Sequence, residues 1–209
     1  MTRKAIPLVA ALAASRSWAR ASGRPGPACA VTGTEGDDVL TSGDRNDVIC
    51  GLGGDDTIVA RGGTDHVYGG DGNDTIRGGN RKDYLYGEAG DDVLYGELGD
   101  DVLDGGQGND ELHGASGFDR LLDRDGDDVL WGGGGDLIYC GRGADIAYGG
   151  RRGDRIEGGP GRDDLRGGPG YDDFFARDGE SDRVDGSTGF DRAEVDLSLD
   201  VVVGVEARR

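Results

Sequence analysis

The chain has 209 residues, 44 of them glycine, and a formal net charge of −19. Acidity on that scale argues against nucleic acid as a partner, since a phosphate backbone selects cationic surfaces, and no stretch is long and apolar enough to span a bilayer as a helix. His66 and His113 are the only histidines, so transition-metal sites built on imidazole are not expected.

Residues 1–21 read as a secretory signal: Arg3 and Lys4 precede an apolar run over 5–14, and Ala19, Arg20 and Ala21 supply a small-x-small cleavage site. Removing this segment takes away four positive charges and no negative one, which moves the net charge from −19 to −23. The expected location is extracellular. Residues 22–32, with Pro25 and Pro27, are expected to be a linker and N-terminal cap. Cys29 stands just before the first of the repeats described next, and Cys50 ends the second. A bridge between them would staple the end of the array, where fraying begins; the alternative is three free thiols. With the bridge formed, Cys140 is left over, free or intermolecular.

Eleven uninterrupted nonapeptides fill residues 33–131, and GGDGNDTIR over 69–77 shows their pattern best. Taking Gly69 as the first place and Arg77 as the ninth, the sixth place is always aspartate: Asp38, Asp47, Asp56, Asp65, Asp74, Asp83, Asp92, Asp101, Asp110, Asp119 and Asp128. After one single-residue deletion in 132–139 and one insertion, Ser181, the register continues through Asp136, Asp145, Asp154, Asp163, Asp172, Asp182 and Asp191, which completes eighteen repeats over 33–194. The eighth place is Leu, Ile, Val or Phe except at Ala147 and Ala193. Each repeat reads as a six-residue turn and a three-residue strand. The glycines permit positive φ and close backbone approach, which aims carbonyl oxygens into a concavity, and the aspartate adds carboxylate oxygens. Such a set suits a hard cation taking about six to eight oxygen ligands, which means calcium. The strand points its middle residue inward and its neighbours outward. Two nonapeptides then make one coil, with like turns stacked eighteen residues apart at roughly the 4.8 Å strand spacing of a sheet.

The pattern G-G-x-G-x-D-x-U-x over residues 33–194 resembles the RTX, or hemolysin-type, calcium-binding nonapeptide repeat. The resemblance implies an all-β fold, a parallel β-roll (β-solenoid) of about nine two-repeat coils, with calcium ions bound in the turns, between successive turns of one edge. A core of one inward side chain per repeat is thin, and packed carboxylates repel, so the array is expected to need calcium to fold.

The two edges differ in composition. Odd repeats carry glycine at the fourth place, at Gly36, Gly54, Gly72, Gly90, Gly108 and Gly126 and onward, and an acid or amide at the fifth: Asp37, Asp55, Asn73, Asp91, Asn109 and Asp127. Even repeats put Arg45, Arg81 and Arg152 at the fourth place and Thr64, Lys82 and Phe118 among others at the fifth. A side chain at the fourth place disfavours the tight turn, and its guanidinium could neutralise a nearby aspartate. The expected calcium ligands are therefore Asp38, Asp56, Asp74, Asp92, Asp110 and Asp128, with weaker sites toward Asp145 and Asp163. On the even edge, occupancy is expected near Asp101 and Asp119, where Gly99 and Gly117 keep the motif.

Outward ninth places hold Tyr95, His113, Trp131 and Tyr148 in successive odd repeats, which predicts a stacked ladder, with Tyr68 and Tyr86 paired on the other sheet. Residues 195–209 break the nonapeptide and are expected to form a cap of one or two strands over the open end, followed by a tail. The sequence has no H-E-x-x-H, no G-x-S-x-G and no non-repeat segment larger than a tail, so no enzyme activity is expected. The expected function is a secreted calcium-binding protein whose array folds on the ion; the alternative is an adhesin-like surface or matrix protein that binds a glycan or protein through the aromatic ladder.

Overall fold

The computed structural model describes residues 28–208; the signal predicted for 1–21 and the linker up to residue 27 lie outside them. Among the described residues there is no helix. Eleven strands, from Val31–Thr32 to Ala207–Arg208, form one parallel sheet, and ten strands, from Val39–Thr41 to Val201–Val203, form the other. Strands alternate between the sheets along the chain, so two repeats make one coil.

Stacking follows from the eighth place. Ile76 lies opposite Leu94, Leu94 opposite Leu112, and Leu112 opposite Leu130 in one sheet, while Val67, Leu85 and Leu103 run down the other. All of these are fully buried between the two sheets. Because strand side chains alternate faces, a slip of one residue would turn this whole column to solvent, and the register is held accordingly. The irregular repeats obey it. Asp119 N–H donates to Asp136 Oδ1 at 2.8 Å across the deletion, and Asp163 N–H donates to Asp182 Oδ1 at 2.9 Å across the insertion, so the turns absorb the change in length.

The roll runs about one coil further than the eighteen repeats. The strand Val201–Val203 pairs in parallel with Arg183–Gly189, and Ala207–Arg208 with Arg192–Val195, so the tail contributes one strand to each sheet at the open end. The reason is local: Asp200 Oδ1 accepts from Asp182 N–H at 3.1 Å and Glu206 Oε2 from Asp191 N–H at 2.7 Å, which reproduces the sixth-place bond with Gly204 as the only glycine left in the tail.

Cys29 and Cys50 form a disulfide with Cα atoms 6.0 Å apart, which ties the chain ahead of the first repeat to the first long strand. Replacing Cys29→Ser is expected to destabilise the N-terminal coils by about 3 kcal/mol on loop-closure grounds. Denaturant unfolding of parent and variant, without reductant and in calcium, measures it; unchanged midpoints would show the bridge to be dispensable. Cys140 is fully buried, and burial raises its thiol pKa well above the ordinary value, which makes it a poor candidate for intermolecular pairing.

Candidate metal centre

The site repeats at every turn and is built around the sixth-place aspartate. Its Oδ1 is committed to the backbone. Asp56 N–H donates to Asp74 Oδ1 at 2.8 Å, Asp74 N–H to Asp92 at 2.7 Å and Asp92 N–H to Asp110 at 2.7 Å. The even edge does the same, from Asp65 to Asp83 at 2.9 Å and from Asp83 to Asp101 at 2.8 Å. The other oxygen is left over. Oδ2 is buried and has no hydrogen-bond partner in Asp56, Asp74, Asp92, Asp110, Asp128, Asp145 and Asp163, and equally in Asp65, Asp83, Asp101 and Asp119. Unpaired buried oxygens of charged groups are costly and rare, so a column of them calls for a positive partner.

The first-place glycine leaves room for that partner. A β-carbon on Gly96 would lie 2.6 Å from Asp101 Oδ2 and 3.0 Å from the Gly114 carbonyl oxygen; one on Gly69 would meet Asp74 Oδ2 and, at 2.8 Å, the Gly87 carbonyl oxygen. Each cradle thus brings an unpaired carboxylate oxygen together with a carbonyl oxygen of the next coil. The fourth place is glycine for a different reason: Gly72 has φ +129°, and a side chain there would collide with the Gly54 carbonyl. All donors are oxygen, the set a calcium ion prefers.

Burial of these carboxylates raises their pKa from the ordinary 3.8, and the charges of neighbouring aspartates add to the rise while the backbone N–H bonds oppose it. Asp74, Asp83, Asp101, Asp110, Asp119, Asp145 and Asp163 reach about 7, Asp92 and Asp154 about 8, and Asp128, Asp172 and Asp182 about 6.

The structure places most, but not all, of the expected ligands in such cradles: Asp123 stands at the first place before Asp128, and the buried Cys140 at that before Asp145. Asp38 differs, because its Oδ2 accepts from the Thr34 N–H at 2.6 Å and the Thr34 hydroxyl at 2.9 Å. Gly36 is open on all sides, with nothing within 4 Å of a β-carbon. Gly54, Gly90, Gly108 and Gly126 each pack against the turn one coil earlier, as Gly72 does. One oxygen of each fifth-place residue is spent on the backbone: Asp37 Oδ1 accepts from Asp55 N–H, Asp55 from Asn73, Asn73 from Asp91, Asp91 from Asn109 and Asn109 from Asp127. These bonds tie successive turns of the odd edge together.

The expected neutralisation of even-edge aspartates by arginine is not seen as ion pairs, although the Arg152 charge opposes the rise that burial gives the Asp136 pKa. Arg45, Arg81 and Arg152 are exposed, and among the described residues no ion pair joins them to a sixth-place aspartate. Arg81 and Arg152 adopt φ +75° and +76°, so the turn keeps its shape at a conformational cost of about 1 kcal/mol each. The carboxylates lie beneath the turn and the guanidinium groups outside it. Sequence reasoning also missed Asp123, a buried aspartate at a first place where the pattern calls for glycine; that break in the pattern was the available signal.

On the outer face of the ten-stranded sheet, Tyr95, His113, Trp131 and Tyr148 form the expected ladder, with ring centroids 4.7, 4.4 and 5.8 Å apart. Arg77 covers the Tyr95 face at 4.5 Å and Arg166 the Tyr148 face at 5.1 Å. Tyr68 and Tyr86 stack at 5.0 Å on the other sheet.

A parallel β-roll whose turns line up unpaired carboxylate oxygens beside convergent carbonyls defines a calcium-binding repeat protein. The family model of the RTX calcium-binding nonapeptide repeat matches residues 32–67, 51–80, 68–103, 77–112, 113–136 and 140–174, well over half of the chain. The chain belongs to that family. No curated protein matches it.

Proposed function

We propose that the protein is a secreted calcium-binding module with no catalytic role, whose array becomes ordered as calcium enters the turns. The column of buried, unpaired Oδ2 atoms carries this reading, because the fold leaves their ionised form without compensation unless a cation arrives. Support for an extracellular setting comes from the Cys29–Cys50 bridge, which needs an oxidising compartment. The proposed ligands on the odd edge are Asp56, Asp74, Asp92, Asp110, Asp128, Asp145 and Asp163, with Asp101 and Asp119 on the even edge. Asp38 stands at the end of the odd column.

Both edges offer cradles, so the preference for the odd edge rests on electrostatics. Odd turns through Asp128 carry Asp37, Asp55, Asp91 and Asp127 beside the sites, whereas even turns carry Arg45, Arg81, Lys82 and Arg152 against Asp44 and Asp100. A cation is drawn to the first field and repelled by the second. Asp74→Ala is therefore expected to remove about one ion per chain and weaken folding, while Asp83→Ala, flanked by Arg81 and Lys82, changes the stoichiometry little. Calorimetric titration of both variants decides it: equal ion loss would make the edges equivalent.

The aromatic ladder favours a stiffening role over glycan capture. Its ring faces are covered by one another and its ends by Arg77 and Arg166, which leaves only ring edges for a sugar.

A further inference from the structure

The first-place column of the odd edge runs Gly33, Gly51, Gly69, Gly87, Gly105 and then Asp123. Beside Gly69 and Gly87, the cradle holds Oδ2 of the sixth-place aspartate of the same turn and the carbonyl oxygen of the first-place residue one coil on, Gly87 or Gly105. Beside Gly105, the partner of Asp110 Oδ2 is instead Asp123 Oδ2. A carboxylate oxygen thus stands where neutral carbonyls stand in the preceding coils.

Asp123 is 7% exposed; its Oδ1 accepts from the Arg124 N–H at 2.7 Å, and its Oδ2 has no hydrogen-bond partner. Asp110, Asp123 and Asp128 each offer an oxygen within 4.8 Å of the other two, and Oδ2 of all three is buried and unpartnered. The Arg124 guanidinium reaches Asp104 at 2.5 Å. Burying three carboxylates together is tolerable in their ionised form only with compensating positive charge.

We propose that Asp110, Asp123 and Asp128 form a three-carboxylate cation site, the tightest on the chain, in which Asp123 supplies the added charge. The proposal rests on calcium binding by the regular turns and sets this one apart from them. A regular cradle offers one unpaired carboxylate oxygen and one carbonyl oxygen; here two carboxylate oxygens converge with a third nearby, and ligand charge is what tunes the affinity of oxygen sites. Attraction scales with the charge of the ion, so a trivalent lanthanide gains more from Asp123 than calcium does.

The test is calorimetric titration of the mature chain with calcium and with terbium, for the parent, Asp123→Asn and Asp123→Gly. Asp123→Gly restores the regular first place, and its far-UV spectrum in millimolar calcium is expected to match the parent's. In both variants the tightest calcium site is expected to weaken by about tenfold or more, with a larger loss for terbium and the weaker sites unchanged. Parent-like affinity in both variants overturns the proposal and leaves calcium binding by the regular turns standing. Equal loss for the two ions overturns it as well, since Asp123 would then act through shape and not charge. A parent that takes up no calcium overturns both this proposal and the reading beneath it.

Discussion

Stripping calcium from the mature chain at neutral pH is expected to abolish most of its β-structure. The core is one side chain deep on each rung, as with Leu85, Leu94, Leu103 and Leu112, and among the described residues its cluster adds to that column only Ala60, Cys140, Ala176 and Val195. Against it stand two edges of buried aspartates whose Oδ2 atoms have no partner. Affinity is expected near the 10⁻⁴ to 10⁻³ M of extracellular modules, on the order of other such sites. At free calcium ten times the dissociation constant, each occupied site contributes about 1.4 kcal/mol, so about seven sites supply on the order of 10 kcal/mol, comparable to the whole stability of an ordinary domain. Far-UV circular dichroism in excess chelator and in millimolar calcium reads this directly. Superimposable spectra would sink the idea that the ion drives folding.

The second large effect is a pH dependence of opposite sign with and without calcium. Burial lifts the sixth-place aspartates from 3.8 to about 7 at Asp74 and Asp110 and about 8 at Asp92, so the folded roll holds protons that the unfolded chain has already released. A folded pKa above the unfolded one contributes stability that is complete below the unfolded value and is lost as pH rises through the folded value. Calcium-free protein is therefore expected to gain β-structure when acidified from about pH 8 to about pH 5. With calcium present the sign reverses, because protons and the ion compete for the same oxygens, and affinity falls by up to about tenfold per pH unit for each proton displaced. Titrations on either side of the window from about 6 to about 8 spanned by Asp128 and Asp92 test it. Calcium affinity independent of pH across that window would show that these carboxylates are not the ligands.

The sequence by itself determined the architecture, because two residue types held in phase leave one way to stack. An aliphatic side chain at every eighth place must face inward, and an aspartate at every sixth then falls in the turn, eighteen residues above its like; Ile76 against Leu94 and Asp74 against Asp92 follow from counting alone. The stacked ring ladder and the Cys29–Cys50 bridge were legible for the same reason, since each pairs residues on neighbouring coils. What each oxygen does with its neighbours was decided only by the tertiary structure. Composition cannot say that Oδ1 of Asp74 takes a backbone N–H while Oδ2 stays unpaired, nor that Asp37 and Asp55 each spend one oxygen on the next turn, because such bonds depend on side-chain direction and on the spacing between coils. Arg81 illustrates the same limit, lying next in sequence but one to Asp83 yet making no ion pair with it, since the turn puts the guanidinium outside and the carboxylate beneath. The tail shows it from the other side. Asp200, nine residues after Asp191, keeps the sixth-place phase although the glycines before it are lost, and Glu206 is out of phase; both extend the roll because each puts a carboxylate within reach of an open N–H.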